Sequence, residues 1–285
     1  MSQSPEIAAV RLVNRTRISR SIPRRLMLEG KLHLLPIYAL LRTSDLAREG
    51  MENSGSFRFA DHIYRGKGSG RYGFGMLLDS VLLRLRGARS MRSRFYHSQR
   101  EILAALEALD AREHTVVSVP SGIARDLFNV AESLRADRPE TYARTKFIGV
   151  DLDHAPLELS RELTRDHTNF TFVAADALHP ATLPRDADVI SSLGFGEFLT
   201  DQALAAFYAS CHAALRPGGV FITSAMNRDR LSDYLARELA ELHTHYRSAA
   251  QITAALEAAG FATVRTSSDK VGLQTLAVAS KKAAG

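Results

Sequence analysis

From about residue 115 onward, short runs of β-branched and apolar residues alternate with longer stretches of helical periodicity. This alternation is typical of a parallel sheet covered by helices. The predicted strands are residues 115–119, 146–150, 169–174, 188–192, 219–224, 262–267 and 273–280, and the predicted helices are 124–135, 154–166, 201–215, 229–242 and 248–259. Residues 268–272 are too few for a helical crossover, so we expect the last two strands to form an antiparallel hairpin at one end of the sheet.

The first hundred residues have a different pattern. Residues 1–50 alternate basic and apolar positions, with Pro23 and Pro36 as breaks, and residues 75–110 have helical periodicity. We therefore expect two parts: a basic helical or lid region over residues 1–100, and a sheet domain over residues 101–285.

Composition excludes several classes of protein. The 285 residues are 45% hydrophobic and 24% charged, which is typical of globular chains and excludes a disordered or collagen-like one. The single cysteine, Cys211, favours a reducing compartment, and residues 1–25 lack the apolar run of a secretory signal. The apolar stretch 32–41 is about half the ~20 residues that a membrane span needs. We expect a cytoplasmic protein without a membrane span.

The positive charge is concentrated near the amino terminus. Residues 1–112 hold 20 of the 37 basic residues but only 10 of the 31 acidic ones. Such asymmetry indicates an anionic partner, which could be a phosphorylated small molecule, a nucleic acid or a membrane surface. Scattered arginines that only solvate helices explain the counts equally well.

Polar residues and a glycine follow the first three predicted strands. In open α/β sheets, ligands bind at the carboxyl ends of the strands. Gly122 stands in the turn after the first strand, Asp151 ends the second and Asp176 follows the third. A carboxylate at the position of Asp151 can accept hydrogen bonds from both ribose hydroxyls, although charged residues also follow strands for solvation.

Taken together, these segments resemble the class I S-adenosylmethionine-dependent methyltransferase family. The matching stretches are VVSVPSGIARDLF at 116–128, FIGVDLDHAPLELSR at 147–161, NFTFVAADAL at 169–178, ADVISSLGFGEFLTD at 187–201 and CHAALRPGGVFITS at 211–224. The resemblance covers roughly residues 100–285. It implies an α/β fold: a seven-stranded, mostly parallel, Rossmann-like sheet with an antiparallel terminal hairpin, plus an amino-terminal helical extension.

The resemblance also implies S-adenosylmethionine as cofactor and assigns residues to it. Gly122 with Pro120 and Ser121 would face the methionine part. The remaining assignments are Asp151 for the ribose hydroxyls, Leu152 for packing on adenine, Asp176 and Ala177 for the adenine amine, and Ser192 and Leu193 for the border between methionine and substrate.

Three positions depart from the family pattern. Ser118 stands where the family usually has an acidic residue, and Pro120 and Ala124 stand where it usually has glycines. The loss of the acid removes a usual indirect anchor for the cofactor's ammonium group. The stretch from Gly122 to Asp151 is longer than usual, which predicts an inserted loop at residues 136–146. Only one glycine stands in the turn, so the G-x-G-x-x-G fingerprint of nicotinamide-dependent dehydrogenases is absent.

Glu197 is the candidate catalytic residue. It follows the fourth strand in the sequence GFGEF, where the family places substrate-facing residues, and it could act as a general base or stabilise a cation. The other interpretation is that it caps or solvates the next helix. Phe195 and Phe198 could line an apolar substrate pocket, and the segment 57–72 could contribute further substrate contacts through His62, Tyr64, Arg65 and Tyr72. No motif indicates a metal.

Three functions remain open at this point. The first is a methyltransferase that acts on carbon or oxygen of a small molecule, anionic if the arginines act together, as a homo-oligomer. The second is an RNA-modifying methyltransferase whose basic amino-terminal region docks on phosphates, although no Asn-Pro-Pro-Tyr type motif follows the fourth strand. The third is a non-catalytic binding protein that keeps the fold.

Overall fold

The structure is a computed structural model that describes residues 16–53, 55–69, 73–109 and 112–283, with side chains from residue 21 onward. Seven strands are His114–Ser118 (β1), Thr145–Asp151 (β2), Phe170–Ala174 (β3), Ala187–Ser192 (β4), Leu215–Met226 (β5), Thr263–Ser268 (β6) and Gln274–Ser280 (β7). They form one sheet in the order β3-β2-β1-β4-β5-β7-β6. β1 to β5 run parallel, and β7 is antiparallel to both β5 and β6. The predicted fold class, including the terminal hairpin, is confirmed.

The α-helices are Thr16–Leu28 (α1), Leu34–Leu41 (α2), Asp45–Glu52 (α3), Phe57–Arg65 (α4), Phe74–Leu82 (α5), Arg86–Glu107 (α6), Arg125–Asp137 (α7), Pro139–Arg144 (α8), His154–Leu163 (α9), Asp201–Ala214 (α10), Arg230–Ala240 (α11) and Ala249–Ala258 (α12). The five helices predicted between the strands all form, with ends within a few residues of the prediction. The inserted loop predicted at residues 136–146 was wrong, because α8 occupies most of it. Pro139 stands in the first turn of α8, where its missing N–H costs no hydrogen bond.

Both faces of the sheet are covered by helices. On one face, Val116 of β1 packs with Leu127 of α7. On the other face, Val117 packs with Phe207 of α10 and Ile252 of α12. Neighbouring residues of a strand point to opposite faces, so the apolar run of β1 is buried on both sides, as expected of a central parallel strand.

The chain groups into two compact units. The sheet unit comprises Ser93–Asn227 and the residues from His245 onward, and the helical unit comprises the residues up to Arg92 together with Arg228–Thr244. The units divide between Arg92 and Ser93, inside α6, and the predicted boundary after residue 100 lies further along the same helix. The segment after β5, which contains α11, belongs to the helical unit, and the sequence pattern did not predict this.

The helical unit has its own core and ion pairs. Ile22 and Leu26 of α1 pack with Leu239 of α11. Glu238 of α11 accepts from Arg25 at 3.1 Å and from Lys31 at 2.7 Å. Within the described ranges, no helix combines the length and the hydropathy that a bilayer crossing requires.

Candidate active site

The turn after β1 is held against the end of β2 by a carboxylate. Asp151, the last residue of β2, accepts the backbone N–H of Gly122 with Oδ2 at 2.8 Å and that of Asp153 with Oδ1 at 2.9 Å. Gly122 has φ +52°, a left-handed conformation that glycine adopts at little cost. Partial burial raises the pKa of Asp151, and its backbone hydrogen bonds oppose that shift. Both carboxylate oxygens are thereby fixed in direction, and each keeps a lone pair for another donor.

An exposed apolar side chain lies next to this carboxylate. Leu152 is 62% exposed, although a leucine after a buried strand is normally covered. At the end of the neighbouring β3, Asp176 is half-buried and accepts the N–H of Leu178 at 2.9 Å, and Ala177 is buried. The ends of β2 and β3 therefore combine two oriented carboxylates with an uncovered apolar side chain.

β4 ends in two buried serines. Ser191 and Ser192 are almost wholly buried, and the hydroxyl of each has no hydrogen-bond partner among the described residues. Ser191 stands opposite Ser118 in the parallel ladder between β1 and β4. Leu193, which follows, packs against the apolar cluster on the α7 face. Buried hydroxyls normally find a partner, so a pair without one is a feature that a ligand would explain.

The loop after β4 contains a buried ion pair. Glu197 Oε1 accepts from Arg94 Nη1 of α6 at 2.7 Å and from Gln274 Nε2 of β7 at 3.2 Å. Both charged side chains are at least nine-tenths buried. Gly194 has φ +79°, and a Cβ there would lie 2.6 Å from the Arg94 guanidinium, so glycine allows the close approach of that group. Glu197 therefore has a buried cation as its partner. This burial does not fit a side chain that only caps or solvates the next helix.

A second buried arginine fixes the backbone of the same loop. Arg247 donates to the carbonyls of Gly196 and Leu199, both at 2.7 Å, and to Asp201 at 2.7 Å. Phe195 makes an edge-to-face contact with Phe207 of α10, with ring centroids 5.2 Å apart. Phe195 thus packs against the core, while the assignment of Phe198 to a substrate pocket stays a prediction.

The first turn of α7 brings a further carboxylate to the end of β1. Asp126 Oδ2 accepts from the hydroxyl of Ser118 at 3.2 Å, and the carboxylate also accepts backbone hydrogen bonds from Leu127 and from its own N–H. It is only 7% exposed, and burial raises its pKa to about 6 despite these hydrogen bonds. The serine in the position where the resemblance implies an acid is therefore hydrogen-bonded to an acid eight residues later.

The substrate residues predicted near the amino terminus lie in the helical unit. His62 Nε2 is 2.9 Å from the carbonyl of Lys67 and 3.5 Å from the buried carboxylate of Asp79. Arg65 is largely exposed and forms a long ion pair with Asp61. Tyr64 packs at the edge of an apolar cluster, and Tyr72 lies outside the described residues. The role of all four in substrate binding stays a prediction.

Sequence reasoning missed four residues that shape this edge of the sheet. Arg94 and Arg247 come from outside the strand-end segments, Asp126 was given no role, and Gly149 of β2 lies so close to Phe172 that a Cβ would be 2.7 Å from its ring. Asp126 and Gly149 stood within stretches singled out in the sequence, at 116–128 and 147–161, but neither was given a role. The two arginines carry no local signal, because their partners are distant in the chain.

The comparisons with known proteins fit this geometry. The family model described as "Methyltransferase domain" matches residues 132–219. A protein of Mycolicibacterium smegmatis described as "Probable S-adenosylmethionine-dependent methyltransferase" is 36% identical over 135 residues, which are 46% of this chain and 48% of that protein. Residues 132–219 thus match a methyltransferase domain. The predicted resemblance to class I S-adenosylmethionine-dependent methyltransferases is confirmed, and the chain spans about half the length of this curated relative.

Solved structures share the fold of this chain at low sequence identity. A structure from Bordetella parapertussis, described as a possible exported protein, has a TM-score of 0.78 and 21% identity, and covers 99% of this chain and 100% of its own. The CurJ carbon methyltransferase has a TM-score of 0.60 and 18% identity over 95% of this chain and 72% of its own. Magnesium protoporphyrin IX methyltransferase from Synechocystis, crystallised with bound SAH, has a TM-score of 0.52 and 14% identity over 78% of this chain and 93% of its own. At such identities these similarities bear on the fold alone.

Proposed function

We propose that this chain is an S-adenosylmethionine-dependent methyltransferase that binds its cofactor along the carboxyl ends of β1 to β4. The observation that carries the proposal is the Asp151 carboxylate, whose two oxygens are oriented by the N–H groups of Gly122 and Asp153. The matched domain model and the M. smegmatis relative support the same reaction class.

The residues at these strand ends suit the parts of the cofactor. The oriented oxygens of Asp151 have lone pairs left to accept two ribose hydroxyls, and Leu152 offers an uncovered apolar surface to a flat base. Asp176 and Ala177 lie at the end of β3, the strand next to β2. The hydroxyls of Ser191 and Ser192 are buried polar groups that still lack a partner.

The cofactor supplies an electrophilic methyl group on a sulfonium, and its transfer is an in-line displacement that depends mainly on positioning. The protein's contribution at the acceptor is the loop after β4, which Arg94 and Arg247 hold from two sides. The Glu197 carboxylate already accepts a hydrogen bond from a guanidinium at 2.7 Å. This geometry suits a residue that positions the loop and stabilises positive charge better than it suits a general base that removes a proton.

For the substrate, we propose a small molecule, methylated on carbon or oxygen. The missing Asn-Pro-Pro-Tyr type motif supports this choice over RNA. The basic residues of the helical unit favour an anionic substrate. The homo-oligomer and the cytoplasmic location stay predictions.

Calorimetric titration with S-adenosylmethionine and S-adenosylhomocysteine tests the cofactor site. We expect micromolar binding by the wild-type chain and a loss of at least tenfold in Asp151→Ala, since two charge-assisted hydrogen bonds to the ribose disappear. Glu113→Ala is the matched control, because Glu113 is an exposed carboxylate just before β1, at the opposite edge of the sheet. Binding of neither ligand, or equal loss in both variants, would overturn the proposal.

A second experiment separates the substrate classes. Methyl transfer from radiolabelled cofactor is measured with a panel of anionic metabolites and with total RNA, at two salt concentrations. Product in the small-molecule fraction supports the proposal. Methylation of RNA that falls steeply with salt would replace it with the RNA-modifying alternative.

A further inference from the structure

A buried carboxylate, Asp126, lies close to the end of β1. Asp126 is 7% exposed, and its hydrogen bonds come from the Ser118 hydroxyl and two backbone N–H groups. Within the described part of the chain, no lysine, arginine or histidine nitrogen lies within ion-pair distance of it. Buried carboxylates are normally paired with a cation, since neutral donors compensate only part of the lost hydration.

The surroundings of this carboxylate point to a ligand as the missing partner. Ser118, which donates to Asp126, stands opposite Ser191 of β4, and partners in a parallel ladder point to the same face of the sheet. The Ser191 hydroxyl is buried and has no partner among the described residues. Asp126 and Ser191 therefore belong to one polar group at the carboxyl end of β1 and β4, where the strand order reverses and ligands of open α/β sheets bind.

The proposed cofactor contains a cationic group, the ammonium group of its amino-acid part, that would lie close to Asp126. Its adenosine part is assigned to Asp151 and Asp176, at the ends of β2 and β3, so its amino-acid part extends toward β1 and β4. That part ends in an ammonium group, which is small enough to enter a nearly closed polar site and can donate three hydrogen bonds. A carboxylate together with hydroxyl oxygens is the set of acceptors that an ammonium group requires.

We propose that Asp126 binds the ammonium group of the cofactor, so that the first turn of α7 provides the negative charge that Ser118 does not. Ser118 orients this carboxylate, and Ser191 supplies a further acceptor. The inference rests on the proposed function, because it concerns the same cofactor.

A structural role for Asp126 makes a different prediction. A carboxylate in the first turn of a helix accepts backbone N–H groups and stabilises the positive end of the helix dipole. If that were its whole role, its replacement would weaken all ligands of the site to the same extent, whether or not they carry an ammonium group.

Calorimetric titration of the full chain with three ligands separates these roles. S-Adenosylmethionine and S-adenosylhomocysteine carry the ammonium group, and 5′-methylthioadenosine shares the nucleoside but lacks the amino-acid part. In Asp126→Asn we expect the first two to bind about 10- to 100-fold more weakly, since a hydrogen-bonded charge pair is lost, while 5′-methylthioadenosine binds as in the wild-type chain. Asp137→Asn, at the exposed far end of α7, is the matched control and should change none of the three.

The outcomes distinguish this inference from the proposed function. If the wild-type chain binds none of the ligands, the proposed function fails. If it binds S-adenosylmethionine and Asp126→Asn binds it equally well, or loses all three ligands alike, only the role of Asp126 is refuted. Asp126→Ser repeats the test with a smaller side chain should the asparagine variant not fold, and circular dichroism establishes the folding of each variant.

Discussion

Replacing Asp126 by asparagine should stabilise the ligand-free protein while it weakens cofactor binding. Burial raises the pKa of Asp126 from 3.8 to about 6. Between these two values the folded chain holds a proton that the unfolded chain releases, so stability falls as the pH rises through this interval. Above pH 6 both states are ionised, and the cost of the buried charge is fully present.

The size of the effect follows from the same two pKa values. At about 1.36 kcal/mol for each unit of pKa, the ionised carboxylate costs the fold about 3 kcal/mol above pH 6. Because asparagine resembles the protonated acid in shape and hydrogen bonding, Asp126→Asn should gain about 3 kcal/mol at pH 8 and about half as much at pH 5.

Urea unfolding followed by circular dichroism at pH 5, 6, 7 and 8 measures this difference in the free energy of unfolding. The gain of Asp126→Asn over the wild-type chain should grow with pH, whereas Asp137→Asn should show a small difference that changes little. A variant that is less stable than the wild-type chain at pH 8, or a gain that is equal at all four pH values, would refute the reasoning. Saturating S-adenosylmethionine should reduce the gain by about 1–3 kcal/mol, which corresponds to the 10- to 100-fold tighter binding expected of the wild-type chain.

Three further predictions concern packing and buried charge. Gly149→Ala places a Cβ 2.7 Å from a phenylalanine ring and should lower the free energy of unfolding in urea by about 1–3 kcal/mol. Gly87→Ala, in a helix with nothing within 4 Å of the new Cβ, should raise it by about 0.5–1 kcal/mol. Arg94→Ala leaves the Glu197 carboxylate buried without its cation and should lower the free energy of unfolding by about 3–5 kcal/mol. In a double-mutant cycle, most of this loss should disappear once Glu197 is also replaced. Asp79→Ala removes a buried carboxylate that accepts from Ser44, Leu46 and Ser69, and should raise amide exchange at residues 66–69. Unchanged exchange would contradict that role.

The arrangement of the sheet could be predicted because its signal is local. Each central strand is a short apolar run buried on both faces, and the helices between them have their own periodicity and capping residues, such as Thr200 before α10. The grouping of residues 228–244 with the helical unit could not be predicted. It depends on contacts between segments about 200 residues apart, such as that between Arg25 and Glu238. The local sequence around either residue does not indicate this pairing.

The same distinction holds for the site. Gly122 and Asp151 were predictable because each stands at a strand end, and topology alone brings strand ends of a parallel sheet to one edge. The ion pair of Glu197 was not predictable, because its partner Arg94 lies 103 residues earlier in the chain. A glutamate that seemed free to act as a base turns out to be half of a buried ion pair.

Asp126 shows how a departure from a family pattern can be misread when it is judged one position at a time. In the sequence, Ser118 appears as the loss of a charge, and that loss put cofactor binding in doubt. In the structure, the serine hydroxyl donates to a carboxylate that enters from the next helix, so the negative charge is still present at the end of β1. The chain keeps this charge buried at a cost of about 3 kcal/mol in the absence of a cation. A buried group that destabilises the empty protein is more simply explained by a ligand than by the fold, because stability alone would favour asparagine at this position.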